Sequence, residues 1–163
     1  MKKISKIILL FVICTSLFAC SSKPKDSISG HSWQAADGSV VVFQKDGKFA
    51  WYREIEVKDD YYYSGTYKVY KGEKAIDFVD GLTQYGVTRK EQEDYIARQT
   101  GVTVDDYYCV EIIIDSLIID HQETATEPWA NYFVGIHYEK EKVLDFINMN
   151  AAAYVRFTLY EEK

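Results

Sequence analysis

Three cysteines, three histidines and a repeated acidic-aromatic tetrapeptide are the residues of this chain with chemistry to offer. Cys14 and Cys20 lie in the first twenty positions, whereas Cys109 stands among Tyr108, Val110 and Ile112. That apolar setting predicts a buried, unreactive thiol, because no neighbouring base is placed to draw off its proton. His31, His121 and His137 are far apart, and none has the partner four residues away that a helical zinc site needs. His137 alternates with Ile136 and Tyr138, which predicts a place facing solvent or one with a single polar contact. Asp-Asp-Tyr-Tyr occurs at 59–62 and again at 105–108. Both copies read as acidic turns entering strands, since neither has the alternating acids and glycine of a calcium loop. The sequence contains no Gly-x-Ser-x-Gly elbow, phosphate loop or dinucleotide fingerprint. A catalytic triad or a pair of glycosidase carboxylates assembles in space, and no spacing along this chain points to either. The expectation is a protein that is not an enzyme, with neither cofactor nor metal.

Aromatic residues are the strongest compositional feature, with 14 Tyr, 8 Phe and 3 Trp. Tyr61, Tyr62, Tyr63, Tyr67 and Tyr70 crowd one segment. On a strand, Tyr61 and Tyr63 share one face and Tyr62 takes the other. Two readings follow. Aromatics are good strand formers that pair across strands. They are also enriched at interaction surfaces, where a tyrosine face can stack on a partner. Tyr61, Tyr63 and Tyr67 are therefore candidate contact residues.

The first twenty residues fix where such a domain would work. Lys2, Lys3 and Lys6 precede an apolar run from Ile7 to Phe18, and Ala19 leads into Cys20. A charged start, a short apolar stretch and a small residue at the cut describe a secretory signal. The run falls short of the ~20 residues a spanning helix needs. Leu17-Phe18-Ala19-Cys20 resembles the lipobox of bacterial lipoproteins, with Leu17, Ala19 and Cys20 matching and Phe18 standing where a smaller residue is more usual. The resemblance implies a diacylglyceryl thioether on Cys20 and cleavage just before it. It places the mature protein on the extracytoplasmic face of the cell membrane, held by lipid. Cys14 then leaves with the leader and Cys20 is acylated, so no thiol remains to pair with Cys109 in an intramolecular disulfide.

Removing residues 1–19 takes three of the 19 basic residues and none of the 25 acids, leaving 16 against 25 and a net charge of −9. Such a domain is not a nucleic-acid binder, whose affinity comes from basic residues on phosphate. Nor does it present a basic patch to anionic lipid. Its membrane partner is reached through the anchor, because two acyl chains hold stably where one alone is marginal. The organisation read from the chain is a signal peptide at 1–19, a lipidated Cys20 and polar tether at 20–28, and one globular domain at 29–163.

The elements that must position the aromatic residues are mostly strands. Val40–Gln44 and Phe49–Val57 flank Asp46-Gly47, a turn pair suited to positive φ. Tyr61–Tyr70 follows, with Gly65 marking a bulge or a close backbone approach. Ala75–Val79, Tyr107–Asp115, Leu117–Gln122, Trp129–Tyr138, Val143–Met149 and Tyr154–Tyr160 read as further strands, and Glu123–Pro128 as a polar loop. One helix intervenes at 88–100, opened by a capping box of Thr88 and Glu91 and supported by Arg89/Glu93 and Asp94/Arg98 pairs. Tyr95, Ile96, Gln92 and Gln99 form its packing stripe, and a lid over one end of the sheet is its expected place. Eight or nine short strands with regular turns predict a mainly β fold, an antiparallel barrel or strongly curved sheet.

Gly30-x-x-Trp33, Gly38-Ser39, Phe43, Asp46-Gly47-x-Phe49 and Gly65-Thr66-Tyr67 are similar to the opening of bacterial lipocalin-like domains. The likeness covers residues 30–70. It implies a calycin-type barrel with Trp33 near its floor, which makes Trp33 a fourth candidate binding residue. The function expected is a membrane-anchored module that binds a small apolar ligand inside the barrel or a protein partner on an aromatic outer face. The alternative is an interaction lipoprotein with no small ligand: an assembly factor, an inhibitor or an immunity protein.

Overall fold

Alternation and turn chemistry decide the architecture. A computed structural model of the chain describes residues 26–54 and 60–161. Its strands are β1 (Ser32–Ala35), β2 (Val40–Phe43), β3 (Lys48–Tyr52), β4 (Tyr61–Lys71), β5 (Tyr107–Ile119), β6 (Gln122–Tyr138), β7 (Val143–Asn148) and β8 (Ala153–Tyr160). Each pairs antiparallel with the next, and β8 returns to β1, so the sheet closes into an eight-stranded up-and-down barrel. Closure leaves no edge along the paired stretches. This is the mainly β, lipocalin-like architecture read from the sequence.

Period-two patterning fills the barrel. On β5, Tyr108, Val110, Ile112 and Ile114 point inward, where they meet Phe43, Phe49, Phe133, Phe146 and Phe157. The intervening Tyr107 and Cys109 point outward, and so do Val134 and Ile136 on β6. They stay buried because two helices cover them: α1 (Glu73–Asp80) and α2 (Arg89–Ala97).

α1 corrects the expected strand at Ala75–Val79. Ala75, Ile76 and Val79 fall on one helical face and are fully buried, with Glu73, Lys74 and Asp77 turned outward. The spacing of three and four outweighs the short β-branched run. Gly72, at φ 61°, breaks β4 from the helix. α2 begins at the Thr88–Glu91 capping box as expected, and its last helical residue is Ala97. Arg89 pairs with Glu93, and Lys90 rather than Arg98 is the partner of Asp94. Arg89 also reaches Glu73 and Asp77 on α1, tying the helices together. The pair lies on the outer wall of the barrel rather than over its end, because that wall is where apolar side chains point outward.

Two further boundaries differ from the sequence reading. β5 runs unbroken past Asp115, where the register slips by one residue, to a turn at Asp120-His121 with φ of 48° and 63°. Residues 123–128 are not a loop but part of β6, paired with β5 through Ile118↔Glu123 and Ser116↔Ala125. They are polar because that stretch is exposed, and a solvated strand carries no apolar signature. Asp46-Gly47 forms its turn with Gly47 at φ 86°. Gly65 marks both expected features: the register shifts beside it, and a Cβ there would sit 2.0 Å from the Ile113 carbonyl oxygen.

Candidate functional site

Four places gather the aromatic and polar residues of the chain: the barrel interior, its two ends and the outer wall beneath α1 and α2. The interior is full. The void among Val41, Phe43, Val110, Ile112, Phe133, Leu144, Phe146 and Phe157 measures about 10 Å³, roughly room for one water. Tilted and edge-on rings occupy the space, with Trp51 against Phe133 and Phe157 at 5.6 and 6.0 Å between centroids. Tyr67 belongs to this core and is not a surface contact. It is 7% exposed, tilts against Phe43, and its hydroxyl donates to the Gln44 carbonyl oxygen at 2.7 Å. Burial pushes its phenol up from the usual value.

At one end the chain's N-terminal segment seals the barrel. The Asp26 carboxylate accepts from the Ile28 and Ser29 backbone N–H groups and sets a tight turn. The turn drops Ile28 into the core, where it is fully buried. Trp33 donates its indole N–H to the Ile28 carbonyl and meets His137 edge-on. Trp33 is therefore at the barrel's end, as the resemblance implies, but 2% exposed and fully packed. His137 is buried and makes a polar contact with Ser27, 2.9 Å between Nδ1 and the hydroxyl. Ser27 also meets the Tyr108 hydroxyl at 3.2 Å. Burial holds the His137 imidazole below its ordinary range, with Glu139 working against this. Asp26, Ser27 and Ile28, at the far end of the expected tether, are thus bound into the fold.

At the opposite end β4, β5 and β6 run on past β7. The β6–β7 ladder covers only Phe133–Tyr138. The Asn150 side chain bonds Ala130 and Tyr132 and blunts the strand there. From Gln122 to Trp129 no further strand pairs with β6 among the described residues. Pro128 removes one N–H from this strip, a common protection of open edges. Tyr61, Tyr63 and Trp129 form an edge-to-face string beside it, at 6.2 and 6.1 Å. Trp129 is 40% exposed. Tyr62 turns to the other face and packs on Tyr52. The Tyr61 hydroxyl holds the Tyr63 phenol above its ordinary range, and partial burial adds to the effect. The structure thus brings together Tyr61 and Tyr63 and adds Trp129, while Tyr67 and Trp33 belong to the interior cluster against which Tyr63 also packs.

The fourth place was not anticipated. Between α1, α2 and the outer wall lies a cleft of about 190 Å³, lined by Val79, Val87, Glu91, Gln92, Tyr95, Tyr107, Val134, Ile147 and Met149. Gln92 is 2% exposed, and its Oε1 has no hydrogen-bond partner among the described residues. The sequence placed Gln92 on the packing stripe of α2, but a buried glutamine announces no binding role until a wall with space stands opposite.

Cys109 is fully buried under α1, and desolvation pushes its thiol far above the ordinary value. Among the described residues no cluster of three His, Cys, Asp or Glu side chains lies close enough to hold a metal ion. Cys20 lies outside the described residues. Comparison with protein-family models, curated proteins and solved structures finds no match.

Proposed function

We propose that this protein is an extracytoplasmic lipoprotein, anchored through Cys20, that binds a protein partner with the aromatic end of its barrel. The observation that carries the reading is the filled interior. An apolar ligand needs hundreds of cubic ångströms, and about 10 Å³ is left inside. Recognition therefore belongs on the outside. At the extended tip the Tyr61–Tyr63–Trp129 string lies next to the Gln122–Trp129 stretch of β6, which pairs with β5 on one side and, among the described residues, with no strand on the other. Such an edge offers backbone donors and acceptors to an added strand, and the rings offer contact area.

Chain geometry supports the same end. The described residues begin at Asp26, six positions after Cys20, and a tether of that length reaches ~20 Å at most. The end sealed by Ser27, Trp33 and Tyr108 is therefore the one nearest the bilayer. β5 leaves that end at Tyr108 and reaches the other at Ile119, on the order of 35 Å farther along the strand. The aromatic tip is presented away from the membrane, and the acidic domain is repelled by an anionic surface.

The test is site-specific photo-crosslinking in intact cells, with the reactive side chain placed at Tyr61, Trp129 or Lys45. Lys45 is exposed and packs beside Gly30 at the sealed end. The reading expects one discrete adduct from 61 and 129 and none from 45. A Trp129→Ser change should remove the adduct at 61 with thermal stability nearly unchanged. Adducts from 45 alone, or no adduct from either tip position, would refute it.

A further inference from the structure

The open side of β6 carries charge of one sign. From Asp115 to Trp129 the chain has four carboxylates, Asp115, Asp120, Glu123 and Glu127, and neither lysine nor arginine. Asp60 joins them: its backbone carbonyl accepts from the Asp120 N–H, and its carboxylate meets His121 at 3.2 Å. Arg53 and Glu54, exposed just past β3, offset each other. On the helices and on β7 acids are matched, with Arg89 on Glu73, Asp77 and Glu93, Lys90 on Asp94 and Arg156 on Asp145. At the tip Asp115 and Glu123 share the Ser116 hydroxyl, at 3.1 and 2.7 Å, and no lysine or arginine pairs with them among the described residues. One hydroxyl carries one proton, so it serves one of the two at a time.

That charge selects among occupants of the edge. A second copy of the chain would set one row of carboxylates against another, and an anionic lipid surface would be repelled as well. A strand bearing Lys or Arg is attracted instead. The edge has two faces, and they differ. Glu123 stands opposite Ile118 and Tyr63 opposite Leu117, and successive strand residues point to opposite faces. Glu123 and Tyr63 are therefore on opposite faces, and Trp129, in ring contact with Tyr63, shares the tyrosine's.

An added strand meets a carboxylate on one face and aromatic rings on the other, which dictates its own period of two. We propose that the partner of the tip is an extended protein segment of alternating cationic and apolar residues. It adds to β6 along Gln122–Glu127, with Lys or Arg beside Glu123 and apolar side chains on the face of Tyr63 and Trp129. Pro128, lacking an N–H, sets the end of the pairing. The assignment rests on the tip being the partner site and names what that partner carries.

The test titrates the mature lipoprotein, in micelles of a neutral detergent, with three end-blocked octapeptides. One alternates Lys and Val, one alternates Glu and Val, and one has the lysines as a run followed by the valines. Backbone amide NMR follows Gln122, Thr124, Thr126 and Glu127. The alternating Lys-Val peptide should give saturable shifts at these amides and slow the solvent exchange of those that face the added strand. The other two peptides should not. Glu123→Gln combined with Glu127→Gln removes two exposed charges at constant shape, and should weaken binding about fivefold with Tm nearly unchanged. The proposal is overturned if no peptide moves these amides, which would mean that the carboxylates only keep edges apart. It is also overturned if either control peptide binds as well, or if the shifts centre on the acidic faces of α1 and α2. Crosslinking in cells separates this from the underlying reading. An adduct at 61 and 129 that survives the double substitution undiminished would keep the tip as the partner site and overturn the cationic assignment, whereas the absence of any tip adduct would refute both.

Discussion

Replacing Phe157 with alanine should cost about 4 kcal/mol of stability. The ring sits on β8, is 4% exposed, and has Trp51, Phe133 and Phe146 at centroid distances of 6.0, 6.0 and 6.5 Å. Large-to-small changes at such sites cost about 3–5 kcal/mol, with the spread set by how far the surroundings collapse. Collapse is restricted here. Every barrel strand is hydrogen-bonded to a neighbour on each side, so the walls cannot close on the gap without breaking ladders. The void already present is only about 10 Å³, so almost the whole ring volume becomes new cavity. For a domain of this size the loss corresponds to a fall in Tm of roughly 10–15 °C. Urea unfolding followed by tryptophan fluorescence measures it, because Trp51 contacts the deleted ring. An unchanged m-value would show that the denatured state is unaltered. A loss below about 1.5 kcal/mol would mean that the interior is loose or collapsible, and the argument that moves binding to the outer surface would fail.

Gly135→Ala should destabilise by about 2 kcal/mol or more, since its Cβ would lie 2.0 Å from the Asp145 carbonyl oxygen across the β6–β7 ladder; thermal unfolding checks this, and a neutral result would contradict the close approach. Burial holds His137 below its ordinary pKa, so the neutral form stabilises the fold above the unfolded value of ~6.5. That contribution is lost as pH falls from there through the lower folded value. Protein with His137→Gln should be less sensitive to a change from pH 7 to 5 than the unmodified chain, by chemical denaturation, and equal slopes would refute the assignment. In the mature protein, where Cys14 has left with the leader and Cys20 is acylated, Cys109 should react with a thiol reagent only at the rate of global unfolding, because it is fully buried and its thiolate is disfavoured; fast labelling would show that α1 lifts from the wall.

Most of the barrel was legible because alternation and turn residues are local signals. Asp46-Gly47, Gly65 and the Thr88–Glu91 box each sit where their chemistry puts them. α1 was missed because Ala75-Ile76 and Val79 make too short a run to separate a helical stripe from a strand. The polar half of β6 was missed because an exposed strip held by one neighbour needs no apolar face. At the tip, Tyr61 and Tyr63 followed from period two, whereas Trp129 joins them only through the pairing of β6 with β5. Tyr67 was read as a surface contact because it shares a face with Tyr61 and Tyr63, but that face turns inward, and both Tyr67 and Tyr63 pack against the interior cluster. The Ser27–His137 contact spans 110 residues, and no local pattern encodes it.

Intact-mass analysis of the protein purified from the membrane fraction tests the central claim most directly. The account predicts a chain that starts at Cys20 and carries the added mass of a diacylglyceryl group on that residue. A chain recovered from the soluble fraction, unacylated and still bearing residues 1–19, would contradict it.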